Sequence, residues 1–331
     1  MATSKDVAKL AGVSHTTVSR AFKGGERMRK ETYDRILQAA GELHYSPNLL
    51  AAGLRSQKSS TAGIVISHSG VAFFMNLVQE LENQLQRQGF RLLISFDSGD
   101  PEKQQNAFQA MSSARADSIA FMPIAPPPKK KTEMLEQMKA SGIQYIQLFN
   151  DALDGFGSVL IDDVGGALAG TRHLLDKGHR RILMIGGYNR IEGFYKAYEE
   201  KKLSAPIPHL PLLDDDLKIC RNNIRQAIIE RKPTAVFCIS DQIGAITYGI
   251  LSELKYHVPD DISFLAFDDS FWSESLSISV IGQPIAEIAG NIAGKIFSYS
   301  RGADAPRSPA SSRTVFTPFL IERNSIRDIS Q

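Results

Sequence analysis

Long apolar runs are missing from this sequence: nowhere do about 18 consecutive apolar residues occur, the length a membrane-spanning helix requires. The opening MATSKDVAKL has no apolar segment of the secretory kind, so the expectation is a cytoplasmic, nucleoid-associated chain with no membrane partner. Cysteine is scarce. Cys220 and Cys238 share no C-x-x-C spacing and no paired histidines, so neither a disulfide nor a zinc site is expected, and Cys238 within AVFCIS reads as a small core residue. Also lacking are a G-x-G-x-x-G after a strand, a P-loop, H-E-x-x-H and G-x-S-x-G. No cofactor, metal or catalytic residue is therefore expected. The one nucleophile set the chain offers, Ser67 and His68 with Asp97, lacks an activating geometry.

A strong net charge is missing too, but the small excess of +2 is unevenly spread. Residues 1–58 hold ten Lys or Arg against five Asp or Glu, whereas the remainder holds 28 against 31. A basic head on a faintly acidic body points to a polyanion as the partner of the head alone.

Within the head, Thr3 followed by Asp6 forms a capping-box-like start for a first helix, with Val7, Leu10 and Ala11 as its apolar face. Gly12 supplies the left-handed residue that ends it, and Ser14 caps a second helix that turns Val18, Ala21 and Phe22 inward. Two short helices joined by a tight glycine-containing turn have the composition of a helix-turn-helix. A third helix is predicted over 31–44, with Ile36, Leu37, Ala40 and Leu43 at helical spacing. His15, Thr16, Ser19 and Arg20 of the second helix are not needed for this core. They suit a major groove, where Arg donates twice to guanine and hydroxyls meet phosphates or bases.

After the head, SPNLLAAGLRSQKSSTAG predicts a short hinge helix beginning at Pro47, too short and glycine-weakened to persist alone in water. Beyond it, the β-rich runs AGIVIS, FRLLISF, SIAFMP, IQYIQLF, RRILMIGG, TAVFCIS and ISFLAFDD alternate with helical patterns. That alternation predicts an α/β body of doubly wound parallel sheets, and about ten units require two sheets. Ligands of such sheets bind beyond the carboxyl ends of the strands. The residues there are Ser67 with His68, Asp97, Asn150 with Asp151, Gly186 with Gly187, Ser240 with Asp241, and Asp268 with Asp269; the last pair reads as a structural turn.

The stretch TSKDVAKLAGVSHTTVSRAF, followed by ELHYSPNLLAAGLRS, resembles the head of the lactose repressor and galactose repressor family of transcriptional regulators. HLLDKGHRRILMIGG, RIEGF, PTAVFCISDQIGA, VPDDISFLAFDD and ISVIGQP extend the resemblance to essentially the whole chain. It implies a small all-α helix-turn-helix head on a two-lobed body of the periplasmic-binding-protein type, with three strands crossing between the lobes. The implied divisions are a head over 1–46, a hinge over 47–61 and a body over 62–331. Within the body, one lobe takes 62–158 and 284–312 and the other 159–283 and 313–331.

The implied function is repression: a homodimer on a palindromic double-stranded operator, controlled by a sugar or related small-molecule effector between the lobes. The resemblance places His15, Thr16 and Arg20 on base edges, Ser14, Thr17 and Ser19 on phosphates, Thr3 and Asn48 among the further DNA contacts, and Leu54 as a minor-groove wedge. For the effector it implies Arg190 and Asp241 first, then Ser67, Asn150, Asp151 and Gln283, with Phe73 and Phe74 available to stack on a ring. The chain departs from the pattern at Arg29, which stands where a Ser or Thr cap begins the third helix, and around Trp272, in a variable loop near the cleft.

Overall fold

The computed structural model describes residues 2–22, 28–45, 59–67, 72–124, 128–187, 189–204, 206–211, 217–300 and 312–330. Its head has three helices: α1 (Ser4–Leu10), α2 (His15–Ala21) and α3 (Lys30–Glu42). Thr3 and Asp6 close a capping box at the start of α1, Gly12 turns the chain at φ +65°, and the Ser14 hydroxyl accepts from the Thr17 amide to open α2. Arg29 is the N-cap of α3 and makes no side-chain cap bond, so that helix starts without the hydroxyl acceptor.

Val7, Ala8, Ala11, Val18, Ala21, Ile36, Ala39 and Ala40 form the head's own core. Leu10 and Leu37, expected inside, are 50% and 41% exposed. At about 100° per residue each sits just outside the stripe set by its buried neighbours, and a core of three short helices closes only one narrow stripe per helix.

The body contains two sheets. The first takes β1 (Thr61–Ile66), β2 (Arg91–Phe96), β3 (Ser118–Phe121), β4 (Gln144–Leu148), β5 (Gly157–Ile161) and β10 (Arg313–Phe316), all parallel, in the order β10-β5-β4-β3-β1-β2. Its helices are α4 (Ala72–Gln86), α5 (Pro101–Ser113), α6 (Pro128–Ala140) and α12 (Ile285–Ser300). Alternate residues of β1 feed opposite faces: Ala62, Ile64 and Ile66 pack with α4 and α12, while Val65 packs with Phe108 and Met111 of α5.

The second sheet takes β6 (Ile182–Ile185), β7 (Ala235–Cys238), β8 (Ser263–Phe267), β9 (Ser279–Gly282) and β11 (Phe319–Ile321), in the order β11-β9-β8-β7-β6 with β11 antiparallel. Val236, Cys238, Phe264 and Ala266 face α9 (Leu217–Arg231) and α10 (Asp241–Glu253). Phe237, Leu265 and Phe267 face α7 (Asp163–Asp176) and α8 (Arg190–Glu200). Among the described residues, no helix is long and apolar enough to cross a membrane.

The chain passes between the sheets after β5, after β9 and between β10 and β11. The predicted lobe limits at 158/159 and 312/313 are therefore a few residues early. β5 and β10 both belong to the first sheet, because β10 covers the edge that β5 would otherwise leave unpaired, with Arg313 opposite Ser158.

Close backbone approach decides where the functional helices begin. A Cβ on Gly193 would lie 2.1 Å from the Val164 carbonyl oxygen, so only glycine lets α8 rest directly on α7. That contact brings the first residues of the two helices, Asp163 and Arg190, side by side.

Candidate functional site

On α2 the residues expected to meet DNA share one face. Thr16 and Arg20 are exposed and His15 and Ser19 partly so, opposite the buried Val18 and Ala21. Ser14 lies at the helix start, its hydroxyl 2.6 Å from that of Thr16 and 2.7 Å from that of Thr17, so two candidate phosphate ligands, Ser14 and Thr17, and the candidate base contact Thr16 share one hydroxyl cluster. Thr3 sits at the start of α1 and its hydroxyl bonds the Asp6 carboxylate at 2.6 Å. Asn48 and Leu54 lie outside the described residues.

The second site is the seam between the lobes. Arg190 Nε donates to Asp163 Oδ1 at 2.7 Å, an Nη donates to the Ile239 carbonyl, and the guanidinium lies 3.8 Å over the Phe267 ring. Beneath it Asp268 is buried, in the left-handed region at φ +69°, and accepts a hydrogen bond from the Gln283 side-chain amide. Burial raises the Asp268 carboxyl to about 6; the Arg190 charge and the Gln283 bond pull it down, while Asp241 and Asp163 push it further up. Asp241, at the first turn of α10, reaches across the lobes, its Oδ2 accepting from the Ala72 amide at 3.2 Å. Burial raises this carboxyl too, opposed first by the Ala72 bond. Asp241 Oδ1 and Gln283 Oε1 are both buried with no hydrogen-bond partner.

Next to them a cavity of about 310 Å³ opens between Phe73 and Asn76 of α4 and Asp268, Gln283, Ile285 and Phe319. Phe73 and Phe319 line it, and the Phe73 ring packs in a cluster with Phe74 and Phe149, with ring centroids 5.2–5.9 Å apart.

Of the residues expected around an effector, Arg190, Asp241, Gln283, Phe73 and Phe74 come together here, and Ser67 ends β1. Asn150 and Asp151 do not: both are exposed, and Asp151 holds Arg313 at 3.0 Å. The residue at the carboxyl end of β4 is instead Phe149, in the left-handed conformation at φ +61°. Ser240, not Asp241, caps α10, and Phe73 is at once a core residue and a wall of the cavity. The Asp268–Asp269 turn divides. Asp269 is structural, paired with Arg323 at 2.8 Å, whereas Asp268 belongs to the seam. Trp272 packs on Gly244, Tyr248 and Phe264, on the face of β8 opposite Phe267. Asp97 is tied to Gln104 at 2.7 Å and to the Gly99 amide at 2.9 Å, and His68 lies outside the described residues.

Asp268 gives a pH-dependent expectation. Its folded pKa lies above the ordinary value of 3.8, so the fold favours the protonated acid, and this group's contribution to stability falls as pH rises through 6. Asp268→Asn should therefore raise the unfolding temperature of the ligand-free protein at pH 7.5 by a few degrees, about 1–3 kcal/mol, with the gain vanishing toward pH 4. Thermal unfolding of both proteins across that range checks it; a variant less stable at pH 7.5 would contradict it.

Residues 3–48 match the model of bacterial regulatory proteins of the lacI family, and residues 171–326 match a periplasmic binding protein-like domain. The HTH-type transcriptional repressor PurR of Vibrio parahaemolyticus is 31% identical over 88% of this chain and 90% of its own. The chain belongs to the lacI family. A second relative, PurR of Mannheimia succiniciproducens, is 28% identical over the whole of both chains. The lac repressor dimer bound to operator and the anti-inducer ONPF has a TM-score of 0.77 at 20% identity, covering 98% of this chain and 99% of that one. A transcriptional regulator CelR–cellobiose complex has a TM-score of 0.68 at 22% identity, covering 98% and 100%. As a lacI-family protein, the chain is a DNA-binding transcriptional repressor.

Proposed function

We propose that this repressor acts as a cytoplasmic homodimer on a near-palindromic operator, and that a small molecule, a sugar or related metabolite, sets its affinity by binding in the seam. The α2 face with Arg20, His15 and Thr16 reads bases in the major groove, Ser14, Thr17 and Ser19 hold phosphates, and Thr3, Asn48 and the Leu54 hinge add contacts. The observation that carries effector control is the Asp241–Ala72 bond joining the lobes beside two unsatisfied acceptors. A ligand satisfying those acceptors competes with or reinforces that bond, so it favours one arrangement of the lobes over the other.

Dimerisation is supported by the edge strand β2, where Ile94 and Phe96 are 44% and 43% exposed, and by Phe271 and Leu276, 85% and 47% exposed, at and just after a short helix, α11 (Phe271–Ser275). A single head makes few phosphate contacts, and two heads are needed for paired half-sites. The combined change Ile94→Asp and Phe96→Asp should convert a dimer to a monomer in sedimentation and lower affinity for a palindromic fragment about 100-fold or more. In the same mobility-shift assay, a small-molecule extract of bacterial cells should alter the wild-type affinity. A wild-type protein that retards no palindrome at low salt would end this reading.

A further inference from the structure

The seam also restricts the charge of what it takes. Four carboxylates surround it: Asp163, Asp241, Asp268 and Asp269. Asp269 is matched by Arg323, and Asp163 by Arg190. Arg190 is committed on several sides, to Asp163, to the Ile239 carbonyl and to the Phe267 ring, so the guanidinium is not a vacant anion socket. Among the described residues Asp241 and Asp268 have no cation of their own, and each is at least nine-tenths buried.

The unsatisfied atoms agree in sign. Because the Gln283 side-chain nitrogen donates to Asp268, the amide is oriented with Oε1 free, and Asp241 Oδ1 is likewise partnerless; both are acceptors. The opposing wall is Phe73, held in an aromatic cluster with Phe74 and Phe149 and suited to the flat or apolar face of a ring.

Resting on the effector reading above, we infer that the seam takes a ring-bearing ligand rich in hydrogen-bond donors and free of negative charge, as an unphosphorylated sugar, an amino sugar or a nucleobase is, and that it rejects phosphate esters and carboxylates. Donors on such a ligand satisfy Asp241 Oδ1 and Gln283 Oε1. An anion would bring a like charge against two buried carboxylates, and at close range in this environment the penalty corresponds to roughly 100-fold in affinity.

Thermal unfolding of the full chain tests this with matched probes: ribose and its phosphate ester; glucose, its amine and its phosphate ester; adenosine and its monophosphate. A bacterial small-molecule extract, split on an anion-exchange column into flow-through and retained fractions, widens the search. The expected result is stabilisation by the flow-through and by one or more uncharged or aminated probes, with the matching ester about 100-fold weaker. Asp241→Asn keeps the side chain's size but removes a charge, and should narrow that gap about tenfold; a single cooperative unfolding transition in the same scans shows that the variant is folded. Stabilisation by the retained fraction equal to or above that of the flow-through overturns the charge restriction while leaving effector control standing, and directs attention to the lysine run 129–131 at the start of α6. Stabilisation by neither fraction removes effector control and this inference together.

Discussion

Arg20→Ala abolishes retardation of operator DNA while leaving the thermal response to seam ligands unchanged. Arg20 is exposed near the end of α2, outside the buried head residues Val18 and Ala21, so its removal costs the head almost no packing. What it removes is an always-charged donor fork on the helix face that carries His15, Thr16 and Ser19. A bidentate arginine–guanine contact is worth about 1–3 kcal/mol of discrimination, and the proposed dimer would lose it twice, an expected loss of about 2–6 kcal/mol on the operator. Arg20→Lys separates the two parts of that loss. It keeps the charge, and hence the salt dependence of binding to any DNA, but lacks the fork that selects a base. Normal operator binding by Arg20→Ala would refute the assignment of this face.

The head was legible because each of its devices is local. Thr3 and Asp6, Gly12, and Ser14 are read within three or four residues of one another, and the structure places them in those roles. The strands were legible where aliphatic and β-branched residues form a buried run, as in β1, and not where a short strand is half exposed, as in β10 and β11. The seam was half legible. Arg190 and Asp241 follow strands in motifs that carry the family resemblance. Asp268 was misjudged because its neighbour Asp269 really is structural, and adjacent carboxylates in a turn differ only in which partner the fold brings: Arg323 for one, Gln283 and Arg190 for the other. Phe149 escaped notice because its left-handed backbone moves the end of β4 one residue earlier than the polar Asn150 suggests. Such assignments depend on contacts made across more than a hundred residues, as between Ala72 and Asp241, and no local pattern encodes them.

The largest loss of stability is expected at Arg190. Arg190→Ala leaves Asp163 without its 2.7 Å partner, removes the positive charge that pulls the buried Asp268 carboxyl down, and strips the Phe267 ring of its stacked guanidinium. Breaking a fully buried pair while leaving its carboxylates in place typically costs about 3–5 kcal/mol, and for this partly buried pair chemical denaturation should register a loss of about 2–4 kcal/mol. Arg190→Lys should recover little, since a single ammonium cannot bond Asp163, reach the Ile239 carbonyl and lie flat over Phe267 at once. The informative variant is the double one. Adding Asp163→Asn to Arg190→Ala removes one of the stranded charges, so part of the loss, about 1–3 kcal/mol, should return. A single variant within about 1 kcal/mol of wild type would mean that Asp163 and Asp268 do not depend on this arginine for their neutralisation. Recovery in the double variant without recovery of ligand response would separate the two duties of Arg190: neutralising the seam so that the lobes can close, and shaping the floor against which an effector rests.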